Sequence, residues 1–204
     1  MITIYGRANS SNVRKVLWLA EELGLEIDRH DYGRGYAPTD TPAFRALNPN
    51  AKVPVMDEDG FILWDSHAIL RYLAAKYGPE WYPAELHHRA ITDQWLDWLV
   101  IELQEPVRKL FFAMHVNPGS DREGIPRYEA ESAKACEILD EQLQQTGAYV
   151  AGAQPTIADC AIGMMVHRWY VFDISRPDLP ALEAYYERLK ARPAFQGPIL
   201  GAGL

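Results

Sequence analysis

The chain has 204 residues, 48% hydrophobic and 24% charged, the composition of a folded globular protein with length for one large domain or two small ones. Its formal net charge is -8 and it carries no dense Lys/Arg run, which argues against nucleic acid or an anionic membrane as the main partner. No apolar run reaches bilayer length, the opening MITIYGRANSS lacks a signal-like apolar core, and Cys136 and Cys160 lie far apart, so the expectation is a cytoplasmic protein with two buried thiols rather than a disulfide.

Residues 1–5 alternate like a half-buried strand, and Gly6 to Ser11 reads as a loop. Ser10, Ser11 and Asn12 are helix-capping types; Val13, Val16, Leu17 and Ala20 then recur at helical spacing, and Gly24 stops the helix. Glu26 to Tyr32 reads as a second strand, Gly33 to Thr41 as a Gly/Pro-rich loop and Pro42 to Leu47 as a short helix. Val53-Pro54-Val55-Met56 and Phe61 to Trp64 flank the turn Asp57-Glu58-Asp59-Gly60 and predict a hairpin. Pro54 belongs at the start or edge of its strand, since it cannot donate to a ladder. A helix follows from Ser66 to Tyr77. After Gly78 the strand signal disappears. Helices are expected over Leu86–Val116 with a kink near Pro106, and over Arg122–Gln145, Thr156–Asp173 and Leu179–Arg192. Thr156 and Asp159 have capping-box spacing. The expected fold is a thioredoxin-like βαβ-ββα domain over residues 1–78, a linker at 79–86 and an all-helical domain over 87–204.

The stretch Lys52 to Ala68 carries the chemistry. With a cis bond before Pro54, the backbone of Val53 faces outward and can pair with a short extended peptide. Asp65-Ser66 opens a helix, where unpaired N–H groups favour a carboxylate, while the Asp65 carboxylate suits an ammonium. A small peptide with a free amine and a free carboxylate fits these features. Val-Pro, the hairpin, Asp-Ser and the helix after it, in that order, together with the Thr-x-x-Asp cap in the helical half, resemble the cytosolic glutathione transferases over nearly the whole chain. The likeness is to the Ser-type, theta-like bacterial members.

That resemblance implies glutathione as co-substrate, with no metal. Lys52, Val53, Pro54, Asp65 and Ser66 are then the glutathione-binding set. Family members activate the thiol with a hydroxyl at the first helix. Counting back from Arg14-Lys15-Val16, Ser10 falls at the serine of the Ser-type members, with Ser11 and Asn12 as rivals one and two positions on. A thiol titrating near ~8.5 needs about two units of lowering, about 2.7 kcal/mol. A charge-assisted hydrogen bond of about 1.5–3 kcal/mol and a helix N-terminus worth up to about 2 kcal/mol suffice. Tyr5 is the Tyr-type candidate, displaced by one position, and its bland reading as a strand tyrosine is preferred. Arg7, Arg14 and Arg34 read as steering charges or plain surface residues. Phe112, Met114 and Trp169, with Phe111 and Tyr170, are candidates for a pocket taking a small hydrophobic electrophile, and Arg108 and Arg168 for holding an anionic group of it; aromatics at such spacing are more often core. Alternatives are a glutathione- or partner-binding protein without catalysis and a glutathione-dependent isomerase or reductase. The resemblance also implies a homodimer, with Trp64 or Trp95 as candidate contacts.

Overall fold

The computed structural model describes residues 1–203 and divides into two compact units. The first runs from Met1 to Pro83 and resumes at Arg192; the second is Ala84–Ala191.

The first unit contains β1 (Ile2–Tyr5), α1 (Ser11–Glu22), β2 (Ile27–His30), α2 (Pro42–Leu47), β3 (Val55–Glu58), β4 (Phe61–Trp64) and α3 (Ser66–Tyr77). The sheet order is β2-β1-β3-β4. Strands β1 and β2 run parallel, with Ile2 opposite Ile27, because α1 makes the crossover between them. The other pairings are antiparallel. Ile2 and Ile4 of β1 and Val55 and Met56 of β3 are buried, as are Val13, Val16 and Leu19 of α1 and Ile69, Leu70 and Leu73 of α3. The alternation read over residues 1–5 and the helical spacing read from Val13 thus mark the faces that meet in this core.

Two local readings change. The second strand is Ile27–His30, shorter than the Glu26–Tyr32 read from sequence. The hairpin turn is only Asp59-Gly60, with φ of 51° and 92°, so Asp57 and Glu58 belong to β3. Two consecutive positive φ values are what a two-residue turn between twisted strands requires, and Asp and Gly tolerate them. Extending the strand places Glu58, 7% exposed, under α3, where its carboxylate accepts from Tyr72, Tyr77 and Lys76.

The sequence reading ends its last helix at Arg192 and gives the residues beyond it to the second domain. Instead, the chain from Arg192 groups with the first unit, through α9 (Pro193–Phe195) and a π-helical turn Gln196–Leu200. Phe195 sets its ring against the buried Trp18 at 4.8 Å. Arg192 donates to both carboxylate oxygens of Glu22 at 2.6 and 2.8 Å. Both partners lie on α1, so this helix carries the strip on which the chain end docks.

The second unit is all helical. α4 (Leu86–Trp98), a π-helical turn Leu99–Leu103, α5 (Gln104–Phe111) and another π-helical turn Phe112–Val116 follow without a break. Pro106 has no N–H for the carbonyl of Glu102, and its ring crowds that group; the wider turn lies directly before it, at the position of the expected kink. α6 (Ile125–Thr146) ends at Gly147 in the left-handed region, and α7 (Ile157–Val171) is buried on almost every side. Its N-terminus carries the complete Thr156–Asp159 capping box. Asp140 of α6 accepts from Leu182 N at 2.8 Å, capping α8 (Pro180–Lys190) from a neighbouring helix. Cys136 and Cys160 are buried and form no disulfide.

Candidate functional site

The loop after β1 is held from both sides. Gly6 N and Arg7 N donate to His30 O and Tyr32 O at 2.8 and 3.1 Å, and Ser10 N donates to Arg7 O at 3.1 Å. Gly6 is required by close approach: a Cβ there would lie 2.5 Å from Val13 Cγ2 and 3.2 Å from Val53 Cβ. Ser10 is the N-cap of α1, extended at φ -83° and ψ 124° and 8% exposed, and its hydroxyl makes no capping bond to the helix. The hydroxyl is therefore not held by the helix, and it stands at the positive end of the helix dipole. Ser11 and Asn12 open the helix itself.

A second element approaches from residues 48–55. Asn48, 2% exposed, donates from Nδ2 to Lys52 O at 2.7 Å and accepts from Asn50 N at 3.0 Å, closing a tight loop. The Val53-Pro54 peptide is cis. Among the described residues no backbone hydrogen bond engages Val53, so its peptide edge is available.

The third element is the start of α3. Asp65 is its N-cap, with Oδ1 accepting from His67 N and Ala68 N at 2.9 and 3.2 Å. Its backbone sits at φ 75° and ψ 126°, outside the ordinary left-handed well, a strained state for a residue with a side chain. Ser66 beside it is 3% exposed. Under both helix starts, buried Lys15 of α1 lies 3.2 Å from His67 Nε2. Burial and the charges of Lys15 and Arg71 push His67 down to about 2, so the imidazole is neutral and accepts from the ammonium.

Asn12, Asn48, Asn50, Lys52, Val53, Pro54, Trp64, Asp65 and Ser66 line one cleft of about 190 Å³. The structure therefore brings together the five residues read from Lys52 to Ser66, and Asn12 with them. Ser10 and Ser11 stand beside Asn12 at the helix start but are not on that wall. Asn48, Asn50 and Trp64 were not singled out from sequence as site residues. The signal for Asn48 was its place before Pro49, in a loop that must return to Val53. Lys15 and His67 gave no signal, since each sits in a helical pattern that reads as ordinary.

The remaining candidates fall as follows. Arg14 is neither a steering charge nor a surface residue: it is 1% exposed, and burial lowers it to about 10. Tyr5 packs against His30 and Tyr32, and burial with the Asp57 charge raises its pKa, which suits a structural tyrosine. Of the pocket candidates in the helical unit, Trp169 is 1% exposed and donates from Nε1 to Ser132 Oγ at 3.2 Å, so it is core. Phe111 is buried as well, under the Arg168 guanidinium at 4.0 Å. Phe112 is exposed and Met114 half-buried, both on the second π-helical turn. Arg108 pairs with Glu105. Trp95 is buried against Trp98, whereas Trp64 is 42% exposed. No cluster that could hold a metal ion occurs among the described residues.

Comparison with known proteins identifies the family. The family model for the glutathione S-transferase N-terminal domain matches residues 9–76, and that for the C-terminal domain matches 122–188. The chain belongs to the glutathione S-transferase family. Glutathione S-transferase GstB of Escherichia coli K12 is 33% identical over 98% of both chains. The disulfide-bond oxidoreductase YfcG of the same organism is 31% identical over 100% of this chain and 97% of its own. A theta-class glutathione S-transferase from Xanthomonas axonopodis pv. citri, solved with glutathione bound, is 40% identical, covers 98% of this chain and 97% of its own, and superposes with a TM-score of 0.92. The transferase fold, a four-stranded mixed sheet with helices followed by a helical unit, is the one expected from sequence.

Proposed function

We propose that this transferase conjugates the thiolate of glutathione to a small hydrophobic electrophile. The observation that carries the reading is the cleft in which the α3 N-terminus, the Val53 peptide edge and Asn12 of the α1 N-terminus share one wall. The Ser66 N–H and hydroxyl receive the γ-glutamyl carboxylate, the Asp65 carboxylate receives its amine, and Val53 pairs with the cysteinyl backbone. Lys52, exposed at the rim, serves the glycyl carboxylate. That register directs the thiol toward the α1 N-terminus. There the Ser10 hydroxyl, uncommitted to the helix, donates to the thiolate, and Asn12 borders it. The mechanism is positioning plus charge stabilisation: the thiolate attacks an electrophilic carbon, a thioether forms and the leaving group departs.

Calorimetric titration with reduced glutathione at neutral pH, with proton release followed in buffers of different ionisation heat, tests the reading. Saturable binding with proton release, lost in Ser66→Ala, supports it. Absence of binding at millimolar glutathione overturns it. The thiol donor is tested by Ser10→Ala against Ser11→Ala and Asn12→Ala. The first should lose about 1.5–3 kcal/mol of thiolate stabilisation, read as a rise in bound-thiol pKa.

A second reading, glutathione-dependent disulfide reduction, is favoured by the full-length likeness to the oxidoreductase. Both cysteines lie in the helical unit and are buried, so the reducing thiol would be that of glutathione itself. Assays with a mixed disulfide and with a haloaromatic electrophile separate the two. A homodimer and a cytoplasmic location belong to the same proposal. Phe61 and Trp64 on the edge strand β4 are exposed contacts for a second copy, and sedimentation at a single-chain mass would exclude the dimer. Among the described residues no helix is long and apolar enough to cross a membrane.

A further inference from the structure

We infer that Arg14 is a positioning residue that uses the C-terminal tail as an abutment for the loop carrying the thiol donor. The inference rests on the reading of the α1 N-terminus as the thiol site, and adds to it the chain end as a working part. Arg14 lies one helical turn after Ser10, and its backbone N–H donates to Ser10 O at 2.9 Å. Its side chain turns the other way and is buried. Nε donates to Ala8 O at 3.3 Å, two residues before Ser10. Nη2 donates to Ala202 O at 2.6 Å and to Gly203 O. One guanidinium thus joins three carbonyls, one from the loop and two from the tail, while the main chain of the same residue holds Ser10.

The tail can bear this load because it is anchored upstream by Arg192 on Glu22 and Phe195 on Trp18, both on α1. The planar fork of Arg reaches acceptors on two sides at once; an ammonium on a flexible stem does not. Without either end, the loop from Arg7 to Ser10 keeps the bond from Arg7 N to Tyr32 O but loses its tie to the helix flank. A hydroxyl donor to a thiolate tolerates little displacement, so the effect is expected in thiol activation rather than in affinity.

The test compares Arg14→Met, Arg14→Lys and a chain ending at Gly201 with the parent protein and with Ser10→Ala. The readouts are glutathione affinity by calorimetry, bound-thiol pKa by ultraviolet thiolate absorbance, and kcat against KM with a haloaromatic electrophile. Each of the three variants should lower kcat by about tenfold and raise the thiol pKa, with glutathione affinity within about threefold. Arg14→Met in the shortened chain should be no worse than either change alone, because both remove one connection. Parent-like thiol pKa and kcat in the shortened chain, which retains Arg14 should its substitution prevent folding, overturn the inference. So does full activity in Arg14→Lys, which would make the charge sufficient, or multiplicative losses in the double variant. If the parent itself fails to bind glutathione, the reading of the site and this inference fall together; if the parent and Ser10→Ala behave as expected while the brace variants match the parent, the inference falls alone.

Discussion

Replacing Asp159 by Asn tests the helical unit at its most committed polar group. The carboxylate is fully buried, and its two oxygens take four hydrogen bonds. Oδ1 accepts from Val150 N at 3.0 Å and Tyr185 Oη at 3.1 Å; Oδ2 accepts from Thr156 N at 2.8 Å and Thr156 Oγ1 at 3.2 Å. Asparagine keeps the shape but turns one acceptor into a donor. In one orientation its amide nitrogen faces the N–H of Val150, in the other that of Thr156. Either way a buried backbone N–H loses its acceptor, at about 1–3 kcal/mol, and the surviving bonds lose their ionic partner. Burial pushes the Asp159 pKa up, so a neutral side chain recovers part of the desolvation cost. The expected net loss is about 2–4 kcal/mol, against about 1 kcal/mol for Tyr185→Phe, which removes one donor and strands none. Equilibrium urea unfolding followed by far-ultraviolet circular dichroism measures both. Asp159→Asn within about 0.5 kcal/mol of the parent would refute the assignment of this carboxylate as the organiser of the α7 N-terminus.

Asp65→Asn retains an oxygen for the His67 and Ala68 N–H groups and tolerates positive φ, so thermal stability should hold within about 0.5 kcal/mol. Glutathione affinity should fall about tenfold or more in calorimetry, because the ammonium loses a charged partner. Gly6→Ala forces a Cβ against Val13 and Val53 and should lower both the melting temperature and glutathione binding. Burial pushes the Glu58 carboxyl up, but hydrogen bonds from Lys76, Tyr72 and Tyr77 and the Lys76 charge together outweigh it and hold it at about 2, below its usual 4.5. Its contribution to stability is therefore complete above about 4.5 and lost as pH falls toward about 2. Acid unfolding followed by fluorescence should show this loss in the parent, and Glu58→Gln, less stable at neutral pH, should lack that component.

What was legible in the sequence was the part set by short-range pattern. The alternation of residues 1–5, the Val-Pro turn, the Asp-Ser helix start and the Thr156–Asp159 box each depend on neighbours within four positions, and each appears in the structure. Asp65 was readable as a cap but not as a strained residue, since its backbone angle is imposed by the hairpin exit. Arg14 was misread because a charged residue in an amphipathic helix is ordinarily at the surface; its burial comes from a tail 188 positions away. Trp169, a pocket candidate, and Trp95, a candidate contact for a second copy, are both core, a distinction that depends on which helices pack together. The π-helical turns before and after α5 carry an extra residue each, which shifts the helical phase and hides which of Phe111 and Phe112 faces inward.

The return of the chain end to the first unit sets an order of events during synthesis. Residues Met1–Pro83 are made before the helical unit, yet the partners of Trp18, Glu22 and Arg14 are made after it. The helical unit, though second in sequence, has all its residues in hand while the first is still incomplete. Until Arg192 and Phe195 emerge, α1 must expose the strip that they later cover. A stop before Arg192 therefore damages a unit most of which was translated before the helical one, and a fragment cut at the linker lacks a piece of its own core. Rejoining residues from Arg192 ahead of Met1 by a short linker would give the first unit a contiguous sequence.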